Sequence, residues 1–186
     1  APALHFAITS QGVGTTGTEI TGGQGDLARP DQLKGSFRII FNGLAVTINV
    51  AAGSGKFYIQ PPFQTSYTLT DPSKYGLGNP ADLIDPTKGV SGLLTNAQTA
   101  TSAGQKRVGG EVLDEVRATV SGDKVPVLPD QSKSQPVVMM AGINPSTHQL
   151  RQVTLTGPFI SATSDATYTV TLTRYGEPFH VTLPST

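Results

Sequence analysis

The sequence predicts an α+β protein built on a single strongly bent antiparallel β-sheet, a half-barrel of about ten strands with short helices over its concave face enclosing an apolar cavity. Three observations lead there. Apolar residues alternate with polar ones in both the first and the last thirds of the chain, turn-forming pairs separate the alternating runs, and the alternation stops between Pro61 and Asn96, where prolines punctuate the sequence. At 186 residues the chain is expected to be a single domain over 1–186 that buries a core without staples.

The first sixty residues read as four strands. Leu4/Phe6/Ile8, Phe37/Ile39/Phe41, Val46/Ile48/Val50 and Phe57/Ile59 each put an apolar series on one strand face. Gly22-Gly23, Asn42-Gly43 and Gly53-Ser54-Gly55 read as the turns between them, with 24–35 as a surface loop, so neighbouring strands are antiparallel. In the middle stretch, Asp85 as N-cap before Pro86 predicts a helix start, and Val90, Leu93 and Leu94 follow at helical spacing. Strands then return at about 99–107, 110–121, 136–143, 150–157, 166–175 and 178–183, with a short helix expected within 124–134. A sheet of that many strands curls, and a curled sheet has an inside that the 79–95 segment is placed to cap.

Composition removes several function classes. Thirteen basic residues balance thirteen acidic ones and only 14% of the chain is charged, so nothing favours a nucleic-acid partner. The chain has no cysteine, which excludes disulfides, thiolate metal sites and cysteine nucleophiles. The most apolar stretch, Ser36 to Ala52, is interrupted by Arg38, Asn42, Thr47 and Asn49 and is too short to span a bilayer as a helix.

The order of segments resembles the LppX/LprA/LprF/LprG family of mycobacterial envelope lipoproteins. The stretch Asn79-Pro-Ala-Asp-Leu-Ile-Asp-Pro-Thr-Lys-Gly-Val-Ser-Gly-Leu-Leu94 is similar to the family's helical segment, an acidic-Pro step followed by a Gly-x-x-x-Leu/Val-Leu run. The opening Ala3 to Gly12 resembles its Val-His strand, and Val170 to Val181 resembles its last hairpin. The chain departs from the family in having no tryptophan, with Met139, Met140 and Tyr175 in the neighbourhoods where tryptophans are usual. The resemblance implies a bent half-barrel with an apolar cavity that binds or transfers acylated lipids and glycolipids, at the outer face of the plasma membrane. It also implies a lipidated cysteine, a linker and a first helix upstream of Ala1.

On the residues themselves, the expected cavity wall is Phe6, Ile8, Phe37, Ile39, Phe41, Ile48, Val50, Phe57 and Ile59 from the sheet, with Leu83, Ile84, Val90, Leu93 and Leu94 from the helical cap. A diacyl or triacyl lipid or glycolipid is the expected ligand. Each buried methylene contributes about 0.8 kcal/mol, so release is expected to need a membrane transporter or an acceptor membrane. No cofactor and no metal are expected. The alternative is an envelope interaction or signalling module with a filled core.

Catalytic readings are weaker. Gly53-Ser-Gly-Lys56 has part of a phosphate-loop pattern but lacks its first glycine and its Ser/Thr after the lysine. Ser121-Gly-Asp-Lys124 has the Ser-x-x-Lys spacing without the partner motifs of that chemistry. His5, His148 and His180 are far apart, a carboxylate pair drawn from Asp71, Asp82 and Asp85 is weakened because Asp85 reads as a helix cap and Asp71-Pro72 as a turn, and Glu111, Asp114 and Glu115 read as a solvated strand edge.

Overall fold

A computed structural model describes residues 3–14, 18–41, 43–71, 89–125, 132–161 and 163–184. The strands are β1 (Ala3–Gln11), β2 (Thr18–Ala28), β3 (Gln32–Phe41), β4 (Leu44–Gly53), β5 (Lys56–Gln60), β6 (Thr68–Leu69), β7 (Thr99–Val108), β8 (Glu111–Ser121), β9 (Pro136–Ile143), β10 (Leu150–Ser161) and β11 (Ser164–Thr173), with helix α1 (Val90–Thr95) before β7. They form one open 11-stranded sheet in the order β6-β5-β4-β3-β2-β1-β11-β10-β9-β8-β7. Every pairing is antiparallel.

Two meanders therefore meet at a central seam where the first strand pairs with the last, Phe6 opposite Leu172 and Ile8 opposite Val170. The sheet's two edges, β6 and β7, are consecutive in sequence. The connection from 70 to 98 consequently begins at one edge and ends at the other, and α1 lies within it. Leu93 of α1 is buried against Val120, Met139, Val153 and Phe159.

Register separates the two faces chemically. Carried across the sheet, one row reads Ile48, Phe37, Gly23, Ile8, Val170, Val153, Ala141 and Val116. The next row, on the opposite face, reads Thr47, Arg38, Gly22, Thr9, Thr169, Thr154, Met140 and Arg117. Period-two alternation within each strand, kept in phase between strands, makes one face apolar and the other polar. Threonine hydroxyls pair along the polar face, Thr154 with Thr169 at 3.1 Å and Thr156 with Thr167 at 3.0 Å. Met139 and Met140 fall on opposite faces, Met139 fully buried and Met140 beside Thr154.

Strand β2 corrects the sequence reading, which placed a turn at Gly22-Gly23 and a loop over 24–35. These glycines lie inside a strand that shows no alternation because its side chains are supplied by its neighbours. The rings of Phe6 on β1 and Phe37 on β3 stack at a centroid distance of 5.9 Å. A Cβ at Gly23 would lie 2.7 Å from the Phe37 ring, and one at Gly25 would lie 2.5 Å from the Lys34 carbonyl oxygen and 2.9 Å from the Phe6 ring. Glycine lets the two aromatics cover the backbone of β2. The strand was illegible to a pattern search because the pattern belongs to three strands together.

Other expectations are corrected more simply. The run 178–183 is not a strand. Beyond the turn at Tyr175-Gly176, where Gly176 has φ 81° and donates its amide to the Ala3 carbonyl at 2.9 Å, the tail lies on the polar face. There Val181 donates its amide to the Gln32 side chain at 3.2 Å, and Leu183 packs near Gly53. The alternation of Phe179, Val181 and Leu183 reports burial against a sheet face, not ladder pairing. Of the helix expected within 124–134, a short 3-10 turn at Gly122–Lys124 reaches only the first residue, and 126–131 lie outside the described residues. Helix α1 starts at Val90 with Gly89 as an extended N-cap that offers no side chain, while Asp85 and Pro86 lie outside the described residues.

A Gly25→Val substitution tests this packing. It is expected to lower stability by about 2 kcal/mol or more, because the Lys34 carbonyl cannot retreat without breaking the β2–β3 ladder. Urea unfolding of the two proteins measures the difference.

Candidate functional site

The apolar face is the feature on which the sheet's side chains converge, and among the described residues it carries two clusters. The first buries Phe6, Leu27, Leu33, Val50, Ala52, Phe57, Ile59 and Leu172, with Ile8, Phe37 and Ile48 packed against it. The second buries Leu93, Ala118, Val120, Val137, Met139, Val153 and Phe159, with Leu94, Leu155 and Tyr168 alongside. Leu150 touches both.

Of the residues expected from sequence, the register puts Phe6, Ile8, Phe37, Ile39, Phe41, Ile48, Val50, Phe57 and Ile59 on this one face. Ile39 is half-buried beside Val46. Phe41 pairs with Leu44 at the tip of the β3–β4 hairpin and is 52% exposed, so it stands outside the cluster. Leu93 and Leu94 join the other cluster. Leu83 and Ile84 lie outside the described residues, and of Val90 only its place as the first residue of α1 is described. Sequence reading missed Leu27 and Leu33 because glycines flank them, and it left out the second cluster although Val137/Met139 and Val153/Leu155 show the same alternation.

Polar groups gather at the end of the seam away from the β3–β4 tip. Arg151 makes a forked pair with Glu111, 3.0 Å from Nε to Oε2 and 3.2 Å from Nη2 to Oε1, and its guanidinium lies 5.3 Å from the Tyr175 ring centre. Asn144 adds its side-chain amide to the same carboxylate at 3.1 Å. The Tyr175 hydroxyl donates to the Leu150 carbonyl, and burial pushes its pKa up to about 12 against the opposing pull of Arg151. Nearby, His5 Nδ1 lies 2.8 Å from Asp26 and 2.6 Å from Arg174, which also reaches Asp26 at 3.1 Å. With the start of the tail these side chains rim a hollow of about 90 Å³. A second, open hollow of about 300 Å³ is lined by Thr21, Arg38, Ala45, Val46 and Thr47.

The acidic residues 111, 114 and 115 are not a solvated edge. Strand β8 is paired on both sides, by β7 and β9. Glu111 binds Arg151, Asp114 accepts from Gln105 at 2.8 Å, and Glu115 faces Lys106 at 3.9 Å. Sequence could not supply these partners, because Arg151 lies forty residues away on another strand.

The other polar motifs resolve as turns. The Ser121 hydroxyl donates to Asp123, whose carboxylate also pairs with Lys124 at 3.1 Å. That serine hydrogen bond, then the lysine, holds the Asp123 pKa below its usual value. Gly53 to Lys56 is the β4–β5 hairpin, with Ser54 and Gly55 at φ 52° and 70° and the Gly55 amide held by Asp31 at 2.8 Å. His148 and His180 are exposed, and among the described residues no three His, Cys, Asp or Glu side chains group as metal ligands. No described helix is long and apolar enough to cross a membrane.

An open antiparallel sheet with an apolar face, carrying polar groups at its rim, defines the chain as a single-sheet protein. The chain belongs to the LppX/LprAFG lipoprotein family, whose model matches residues 2–181. The structure is similar to LprF from Mycobacterium bovis, with 16% identity, 99% of this chain and 90% of that chain covered, and a TM-score of 0.76. It is also similar to lipoprotein LppX from Mycobacterium tuberculosis, with 15% identity, 97% and 90% coverage, and a TM-score of 0.66. Among the curated proteins none matches.

The buried phenol gives a pH signature. Because the folded-state pKa of Tyr175 is raised, its contribution to stability is complete below the unfolded-state value near 10 and is lost as pH rises toward about 12. Urea midpoints recorded across that window should fall with pH, and the fall should be shallower in Tyr175→Phe. Tyr168, also raised by burial, accounts for a remaining slope.

Proposed function

We propose that the apolar face seats the acyl chains of a lipid or glycolipid, and that the protein is a carrier working in the cell envelope at the outer face of the plasma membrane. The observation that carries this reading is the row from Ile48 to Val116, which crosses eight strands without a charged side chain and, among the described residues, faces no second sheet. A sheet of eleven strands has the size at which twist favours curling over lying flat, and a curl toward the apolar side would turn that side inward. Membership of a lipoprotein family supports the envelope location and an upstream lipidated cysteine as anchor.

Acyl chains need a dry wall and no catalytic group. At about 0.8 kcal/mol for each buried methylene, a dozen give on the order of 10 kcal/mol gross. Retention is then strong and release slow, so delivery calls for a transporter or an acceptor membrane that opens the seat. The Arg151, Glu111 and Tyr175 group at the rim is suited to meet a polar headgroup. The near-complete burial of Phe6, Val50 and Ile59 favours a second reading, an interaction module whose interior is filled by its own side chains.

Native mass spectrometry, with organic extraction of protein made in an actinobacterial host, separates the two. The carrier reading expects a stoichiometric diacyl or triacyl species. A protein that comes out empty and refuses added lipid establishes the filled module instead. Replacing half-buried Ile8 or Ile48 by Asp is expected to cut lipid occupancy at least about tenfold while circular dichroism keeps its β signature. Unchanged occupancy would remove that row from the seat.

A further inference from the structure

We propose that the β5–β6 loop, residues 61–67, together with the tip of the β3–β4 hairpin, is a membrane-docking end that inserts Phe63 into the interface of a lipid bilayer. Phe63 is 100% exposed, the most exposed of the large apolar side chains. Its backbone is left-handed, φ 64°, at the third position of a turn closed by the Gln64 amide on the Pro61 carbonyl at 3.2 Å. Pro62 sets the position before it, and a turn of this shape ordinarily takes glycine where Phe63 stands. A bulky aromatic held in that conformation with nothing packed on it is a feature that folding does not require.

The loop holds the ring out on a fixed support. Gln60 donates its side-chain amide to the Gln64 carbonyl at 2.9 Å, and Asn49 on β4 donates to the Gln60 side chain at 2.7 Å. Strand direction brings the hairpin tip to the same end of the sheet, where Phe41 and Leu44 are 52% and 68% exposed. No Lys, Arg, Asp or Glu occurs from Ile39 to Gly55, nor from Phe57 to Thr70. At the opposite end of the same strands the turns carry Arg29, Asp31 and Lys56.

That asymmetry selects a bilayer over a protein partner. An aromatic tip flanked by proline, threonine, serine and glutamine enters the headgroup region without desolvating a charge, and it offers no charge by which a protein surface would be steered. Such docking would bring the apolar face of a carrier to an acceptor membrane. It rests on the carrier reading for its purpose, and on Phe63, Phe41 and Leu44 for its geometry.

The chain has no tryptophan, so a single substitution makes a clean reporter. In Phe63→Trp, mixed with vesicles of zwitterionic phosphatidylcholine, emission is expected to shift to the blue and to be quenched by bromine-labelled acyl chains. Val112→Trp, at the other end of the sheet and 39% exposed in the parent protein, should keep its emission in buffer. The double variant Phe63→Ser/Leu44→Ser should partition onto vesicles at least about tenfold less. Binding should survive about 1 M salt, because no charge takes part.

An unmoved Phe63→Trp spectrum, an equal response at both ends, or release by salt would each overturn the docking proposal. Lipid extraction from the same samples keeps the two claims apart. A loaded protein that never inserts retains the carrier and loses the docking end, whereas an empty protein that inserts does the reverse.

Discussion

A sheet with one apolar face must keep that face from water, and the described residues form no second sheet to press against it. Every larger feature follows from that constraint. In a sandwich, two inner faces would bury each other. Here eleven strands share one layer, and among the described residues that face is covered by its own packed side chains and by Leu93 of α1. The polar face carries threonines and arginine, which need no cover, and among the described residues the tail from Glu177 onward lies across part of it.

The topology serves that end. Because β1 and β11 pair in the middle, each meander grows outward from the seam, and the two outermost strands are left to consecutive segments of chain. The connection between them is therefore the one stretch that has to cross from edge to edge. Its described part, α1, puts Leu93 into the apolar cluster on the β8–β10 side. The apolar face thus spans both meanders, with Leu150 in contact with the clusters on either side of the seam.

Polar chemistry is kept away from the face. Glu111, Arg151, Asn144 and Tyr175 satisfy one another at the rim, and His5, Asp26 and Arg174 do so on the polar side. Paired charges of this kind hold strand ends in register and leave the apolar rows uninterrupted. Each of these groups has partners that explain it structurally. The lone Phe63, without any such partner, stands out against that economy.

Wherever alternation was carried by a strand's own side chains, the element could be read from residues alone: Leu4/Phe6/Ile8, Phe37/Ile39/Phe41 and Ile48/Val50 lie on one face as their period implies, and 136–143 is a strand to the residue. The turns at Gly43 and at Ser54-Gly55 were equally legible, since backbone at positive φ is a local demand that few residues meet. Strand β2 was not, because two phenylalanines on its neighbours fill the space above its glycines. The tail was misread for the converse reason, that burial against a face and pairing in a ladder leave the same period-two trace. Local periodicity therefore determined the strands and the face each side chain takes. The union of the first strand with the last, the partners of Glu111, and the gathering of Phe41, Leu44 and Phe63 at one end were decided by tertiary structure, because they depend on contacts between residues far apart in the chain.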